Sequence, residues 1–223
     1  ARTHEVRLGG AASVAGLAAS LDARVAVAGV LSDDSPGHTL RKLLDQAAID
    51  HRLVVCDPKR PTTCKERFMG RADGRHPHQI LRVDREIREP LDRELERTLA
   101  HDVVARIEDY QAVLISDYNK GVCTPYLLKA VIAAARRCDL PVIIDPAKIE
   151  DYSRYRGATL LTPNRSEAEL ATGRRIDTPH AALAGGHRLC ELCGSEAVLV
   201  TLDSQGMALA LADKTGETIP TRA

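Results

Sequence analysis

Four short apolar runs in the second half of this 223-residue chain each end in side chains able to hold a metal ion or a phosphate. Asp117 follows Leu114-Ile115-Ser116, Asp145 follows Val142-Ile143-Ile144, Asn164 follows Leu161-Thr162-Pro163, and Thr201 with Asp203 closes Val198-Leu199-Val200. In an open parallel sheet, ligands bind beyond the carboxyl ends of the strands, where the chain turns and helix N-termini point their N–H groups outward. If the four runs are strands of one sheet, one edge carries a row of carboxylate, amide and hydroxyl oxygens. Metal–phosphate chemistry needs such a row, with Asp145 as a candidate magnesium ligand. Near the amino end, Gly9-Gly10-Ala11-Ala12-Ser13 combines paired glycines with a following helix start, which lets a ligand approach the backbone and its N–H groups closely.

Each feature also has a purely structural reading. Asn164 with Glu167 three residues on matches a capping box for a helix over 165–172 that Gly173 closes. Asp145-Pro146 can be an ordinary turn. The stretch from Asp117 to Gly121 can be a polar loop with glycine in a left-handed position. The alanines after Gly10 suffice for tight helix packing.

The elements that must position these residues follow from apolar spacing. Leu40, Leu43, Leu44 and Ala47 recur with helical period, as do Leu128, Val131, Ile132 and Ala135, and a third helix is predicted over 91–109. Thr124 followed by Pro125 is a helix start. Short β-branched runs at 25–30, 112–115, 141–144, 159–161 and 197–201 suit strands buried on both faces. Their alternation with helices predicts a three-layer α/β/α domain on a parallel sheet with right-handed crossovers. One region departs from this pattern: 62–69 and 78–83 read as two strands of a β-hairpin, either a lid over 62–85 or a sheet edge. A further strand pair is expected at 207–212 and 215–220. No repeat or linker interrupts the chain, so one domain over 1–223 is the simplest expectation.

Composition bounds the function. Hydrophobic content of 44% and charged content of 28% are those of an ordinary globule. The 31 basic and 31 acidic side chains, with no Trp and 3% aromatics, give no reason to expect nucleic acid as a partner. No apolar run approaches membrane-spanning length, and the first residues lack an apolar signal core, so a cytoplasmic location is expected. Six scattered cysteines do not indicate a disulfide framework, and the pair Cys190 and Cys193 reads as buried helix thiols. Neither a P-loop nor a dinucleotide glycine fingerprint occurs.

Taken in order, Gly9-Gly10-Ala11-Ala12, a hairpin ending Leu81-Arg82-Val83-Asp84, Ser116-Asp117-Tyr118-Asn119-Lys120-Gly121, Asp145-Pro146 and Tyr155-Arg156-Gly157-Ala158-Thr159-Leu160-Leu161-Thr162-Pro163-Asn164 resemble the ribokinase-like (PfkB-type) carbohydrate kinases. The last string is most similar to the heptose 7-phosphate kinases of ADP-heptose synthesis, often fused to a nucleotidyltransferase domain. The resemblance implies ATP and Mg2+ as cosubstrate and cofactor, with phosphoryl transfer to the anomeric hydroxyl of D-glycero-D-manno-heptose 7-phosphate. It places Gly9 and Gly10 in the sugar pocket, Asn164 and Glu167 at magnesium and the ATP phosphates, and Thr201 and Gly206 along the nucleotide. The hairpin becomes a lid over the sugar and a surface for a homodimer. Asp117 joins the sugar side, and Lys65, Arg67, Arg82 and Lys120 are candidates for the substrate's own phosphate, which needs charge-assisted donors.

Two departures stand out. Ser13 replaces the asparagine usual in heptose kinases, which leaves open a kinase for another sugar or sugar phosphate. The family's general base, an aspartate in a Gly-Ala-Gly-Asp turn, and its first strand with a sugar-binding aspartate do not occur within 1–223. The chain is therefore expected to be incomplete at both ends and unable to turn over alone. A non-catalytic sugar-phosphate or nucleotide-binding module is the alternative from another class.

Overall fold

The computed structural model describes residues 4–70 and 76–221, in two compact units, Ala1–Pro90 and Leu91–Ala223. In the first unit, α1 (Ala11–Ala19), β1 (Ala26–Leu31), α2 (Ser35–Gln46) and β2 (Asp50–Cys56) precede a hairpin of β3 (Cys64–Gly70) and β4 (His78–Arg85). Strands β1 and β2 pair in parallel, with Gly29 opposite Val54, and α2 makes the crossover. Ala12, Ala15, Leu44 and Ile49 form this unit's buried cluster, with Leu40, Val25 and Val27 against it. Asp34 caps α2 by accepting from the Gly37 N–H at 2.8 Å, and its other oxygen accepts from the Thr62 N–H at 2.9 Å. The second unit holds α3 (Arg93–Val104), β5 (Val113–Ser116), α4 (Pro125–Arg137), β6 (Val142–Asp145), β7 (Leu160–Leu161), α5 (Arg165–Thr172), α6 (Pro179–Cys193), β8 (Ala197–Thr201), β9 (Met207–Leu211) and β10 (Gly216–Ile219).

The second unit's strands form one sheet in the order β10-β9-β8-β7-β6-β5. Strands β5 to β8 run parallel, while β9 and β10 are antiparallel additions. The predicted strands at 112–115, 141–144 and 197–201 are found within one residue of their expected bounds. The helix expected over 91–109 ends at Val104, and the chain resumes as a 3-10 turn at Ile107–Asp109. Thr124 caps α4 through the Leu127 N–H at 3.1 Å, and Pro125 occupies its first turn. Cys190 and Cys193 are buried, their thiols turned to the carbonyls of Ala210 and Tyr152. Strand β2 was not expected from the sequence: Asp50-His51-Arg52 dilutes the apolar triplet Leu53-Val54-Val55 that marks it. The turn anticipated between the hairpin strands includes 71–75, outside the described residues. Among the described residues, no helix is long and apolar enough to cross a membrane.

Gly206 explains itself by backbone alone. Its φ is +92°, and a Cβ there would lie 2.0 Å from the Ile219 carbonyl oxygen. Gly206→Ala is therefore expected to cost about 2–4 kcal/mol, from the strained φ plus a clash with backbone that cannot swing aside. Chemical denaturation of the variant beside the parent chain measures it.

Candidate functional site

The sheet register brings the expected row together. Ser116 pairs with Asp145 across β5 and β6, and the Asp117 N–H donates to the Asp145 carbonyl at 2.9 Å. Thr162 N–H donates to the Ile144 carbonyl at 2.9 Å, Thr201 N–H donates to the Pro163 carbonyl at 3.0 Å, and Asn164 bridges Thr201 in parallel. The carboxyl ends of four consecutive parallel strands thus place Thr201, Asn164, Asp145 and Asp117 side by side. At roughly 4.8 Å per strand the row spans about 15 Å, the length of an extended triphosphate with its sugar.

The members of the row differ in freedom. Asp145, Asn164 and Thr201 are exposed, and Glu167 is half-buried. Asp117 is only 5% exposed and is held from three directions. Its carboxylate accepts from the Tyr155 hydroxyl at 2.7 Å and from the Asn119 N–H at 2.8 Å, with Arg154 Nη1 at 3.6 Å. Tyr155 in turn accepts from the Ala147 N–H at 3.0 Å, so one buried phenol ties the end of β5 to the turn after β6. Asn119 and Gly121 both have positive φ, which shapes the loop that carries Lys120.

The capping box at α5 is present. Asn164 Oδ1 accepts from the Glu167 N–H at 3.0 Å, and Glu167 Oε2 accepts from the Asn164 N–H at 2.8 Å. The cap fixes Glu167 at a helix N-terminus beside the row. Arg165 was given no role in the sequence reading. It donates to the carbonyl of Ile176 and to Gln205 Oε1, joining the start of α5 to the turn that holds Gly206.

Burial, and then the nearby Asp117 charge, push the Asp145 carboxyl above the ordinary range. Glu167 is also raised, by burial foremost, with Asp145 adding to it and the bond from the Asn164 N–H offsetting part. These carboxylates feel one another, and a hard divalent cation between them would relieve the repulsion. Among the described residues no three His, Cys, Asp or Glu side chains converge on one point. A magnesium ion would be held there by Asp145 and Glu167 with phosphate and water completing its shell, the usual manner for Mg2+.

A raised carboxyl pKa means that the folded protein holds the proton more tightly than the unfolded chain. Stability therefore falls as pH rises from the ordinary carboxylate range through the raised value. Asp145→Asn is expected to raise the metal-free melting temperature at pH 7 by about 1–2 °C, the gain limited by solvent screening. It should also flatten the decline that begins in the ordinary carboxylate range. Thermal unfolding across a pH series from about 4 upward, with and without magnesium, checks both statements.

In the first unit, Gly10 caps α1 with φ +56°, and its carbonyl accepts from the Ser13 N–H. A Cβ on Gly9 would meet nothing within 4 Å, so the space beside it is open. The hairpin has two chemically distinct faces. Lys65 and Arg67 alternate on one strand, Arg82 stands opposite Arg67, and Asp84 stands opposite Lys65. The other face carries Glu66, Phe68, Leu81 and Val83. Arg82 pairs with Asp84 at 3.0 Å. Two arginines directly opposed across strands repel each other, and an anion between them removes that cost.

Comparison with known proteins is decisive for the family. Residues 1–223 match the model of the pfkB family carbohydrate kinases. The chain belongs to the PfkB carbohydrate kinase family. Among curated PfkB relatives, the bifunctional protein HldE of Geobacter sulfurreducens is 40% identical over 219 residues, covering 98% of this chain and 44% of its own length. That of Bradyrhizobium diazoefficiens is 42% identical over 210 residues, covering 94% and 42%. The chain thus spans less than half the length of these relatives. Among solved structures, phosphofructokinase-2 from Escherichia coli in complex with fructose-6-phosphate superposes with a TM-score of 0.74 at 18% identity, covering 96% of this chain and 68% of the other. Arabidopsis thaliana ribokinase complexed with ribose and ATP gives 0.68 at 18%, covering 92% and 64%. At such identities the likeness speaks to the fold, which is the three-layer ribokinase-like α/β architecture of PfkB kinases.

Proposed function

We propose that the protein transfers the γ-phosphoryl group of ATP to the anomeric hydroxyl of D-glycero-D-manno-heptose 7-phosphate in the cytoplasm. The observation that carries this reading is the row of Thr201, Asn164, Asp145 and Asp117 on adjacent strand ends, with Glu167 locked beside it. Family membership supports the reaction class. Similarity to the heptose 7-phosphate kinases through residues 155–167 supports the sugar. The two compact units together make one kinase domain, of which 62–85 is the lid. The bifunctional relatives support a nucleotidyltransferase domain in the same protein.

In this reading Asn164 and Glu167 orient the ATP phosphates, Thr201 and Gly206 border the nucleotide, and Gly9, Gly10 and Ser13 line the sugar. Lys65, Arg67, Arg82 and Lys120 take the 7-phosphate, since a dianion calls for several charge-assisted donors. Asp117, proposed from the sequence for the sugar side, is buried with both carboxylate oxygens engaged, so it acts by holding the loop that carries Lys120. Bound magnesium supplies charge neutralisation on the phosphates. Closure of the lid excludes water, so that phosphate passes to the sugar. The hydroxyl proton passes to a base that the family carries in a Gly-Ala-Gly-Asp turn, a string not found in 1–223. The apolar hairpin face, with Phe68 50% and Leu81 53% exposed, suits a homodimer contact.

Ser13 favours a second reading, in which the same chemistry serves a different sugar phosphate. Coupled ADP-release assays of the full-length protein over a panel of sugars decide between them. Heptose 7-phosphate should give the highest kcat/KM. A clear lead for fructose 6-phosphate or ribose would remove the heptose assignment, and no turnover with any sugar would favour the binding-module alternative.

A further inference from the structure

Away from the row, α4 and the segment around the 3-10 turn Tyr152–Tyr155 enclose an open cavity of about 550 Å³. Four cations line it: Lys129 and Arg136 from one face of α4, Arg154 and Arg156 from the segment opposite. Lys129 and Arg136 are seven residues apart and so share a helical stripe, with Ile132 and Ala133 between them forming an apolar floor. Ile149 lines the same cavity.

Arg154 is balanced by Asp117 at 3.6 Å, but the other three cations are under-compensated. The single carboxylate in the lining, Asp151, accepts from the Ser153 N–H at 2.8 Å and the Ser153 hydroxyl at 2.9 Å. Arg156 donates to the Leu192 carbonyl at 3.1 Å, a neutral acceptor. Lys129 and Arg136 make no ion pair among the described residues. Arg136 lies close over Gly157, where a Cβ would come within 3.0 Å of its Nη1. The bare glycine leaves that guanidinium room against the backbone.

The geometry points to a second binding site in this groove, for a small phosphorylated organic molecule. Guanidinium forks match phosphate oxygens, and like charges crowded in a trough attract an anion. The apolar floor of Ile132 and Ile149 accepts the organic body. Arg154 connects the groove to the row, because its Nη1 also lies 3.6 Å from Asp117. The site is distinct from the one proposed for ATP and sugar, and it stands whether or not the heptose assignment does.

Phenyl phosphate and inorganic phosphate serve as probes, titrated calorimetrically into the full-length protein. Phenyl phosphate is expected to bind more tightly than inorganic phosphate. Lys129→Ala with Arg136→Ala should weaken it by about tenfold or more, through loss of two charge-assisted contacts. Arg137→Ala, on the same helix but outside the lining, controls for general surface charge and should change affinity less than about twofold. The three side chains are exposed, and matching melting temperatures verify that each variant remains folded. Three results would overturn the proposal: equal affinity in the double variant, an equal loss in Arg137→Ala, or no binding to the parent protein.

Discussion

Replacing Glu167 with Gln should lower kcat of the full-length kinase by about 100-fold or more while leaving its folded stability nearly unchanged. The two consequences separate because the proposed function gives Glu167 a second duty beside its capping bond. As a cap it needs an oxygen to accept from the Asn164 N–H, and a glutamine carbonyl can do that. As a magnesium-side group it needs negative charge, which the amide lacks. The loss should appear as a weaker apparent affinity for magnesium in steady-state assays at varied metal concentration. A variant that melts several degrees lower, with unchanged metal dependence, would assign Glu167 to helix capping alone.

The second large effect concerns two neighbouring tyrosines whose rings meet edge to face, with centroids 5.2 Å apart. Tyr155 is fully buried, donates to Asp117 and accepts from the Ala147 N–H. Burial, then the Asp117 charge, keep its hydroxyl protonated far above the usual phenol range, so it acts as a donor at all working pH. Tyr155→Phe strands a buried N–H and removes one donor from a buried carboxylate. A cost of about 2–3 kcal/mol follows, or about 4–10 °C in melting temperature. The Tyr152 hydroxyl is equally sequestered but has no hydrogen-bond partner among the described residues. Tyr152→Phe removes an unsatisfied polar group and should be neutral or stabilising by up to about 1 kcal/mol. No loss in Tyr155→Phe would show that ring packing, which phenylalanine keeps, and not the Tyr155 hydrogen bonds, secures this region.

Much of the second unit was legible in the sequence because its signals are local. Runs such as Val142-Ile143-Ile144 mark strands of the parallel sheet, and a polar residue at each run's end marks its carboxyl edge. Thr124-Pro125 and Asn164 with Glu167 announce helix starts within three residues. The hidden parts are those made by distance. Tyr155 reaches Asp117 across 38 positions and Arg165 reaches Gln205 across 40, and no spacing rule links such residues before the sheet aligns them. The strand Asp50–Cys56 went unseen for a different reason: half of it is polar, as befits a strand with exposed positions, so its apolar run is too short to register. In the sequence Arg67 and Arg82 stand out by their charge and their place on the hairpin expected as a lid. Only the hairpin register shows them opposed on one face with Lys65.

In the proposed function Thr201, Asn164, Asp145 and Glu167 serve one bound nucleotide. A crystal structure of the full-length protein with magnesium and a non-hydrolysable ATP analogue is the decisive measurement. Phosphates are expected at the N-terminus of α5, metal within reach of Asp145 and Glu167, and the adenosine moiety running past Thr201 towards Gly206. Nucleotide density elsewhere, with these four side chains facing only solvent, would contradict it.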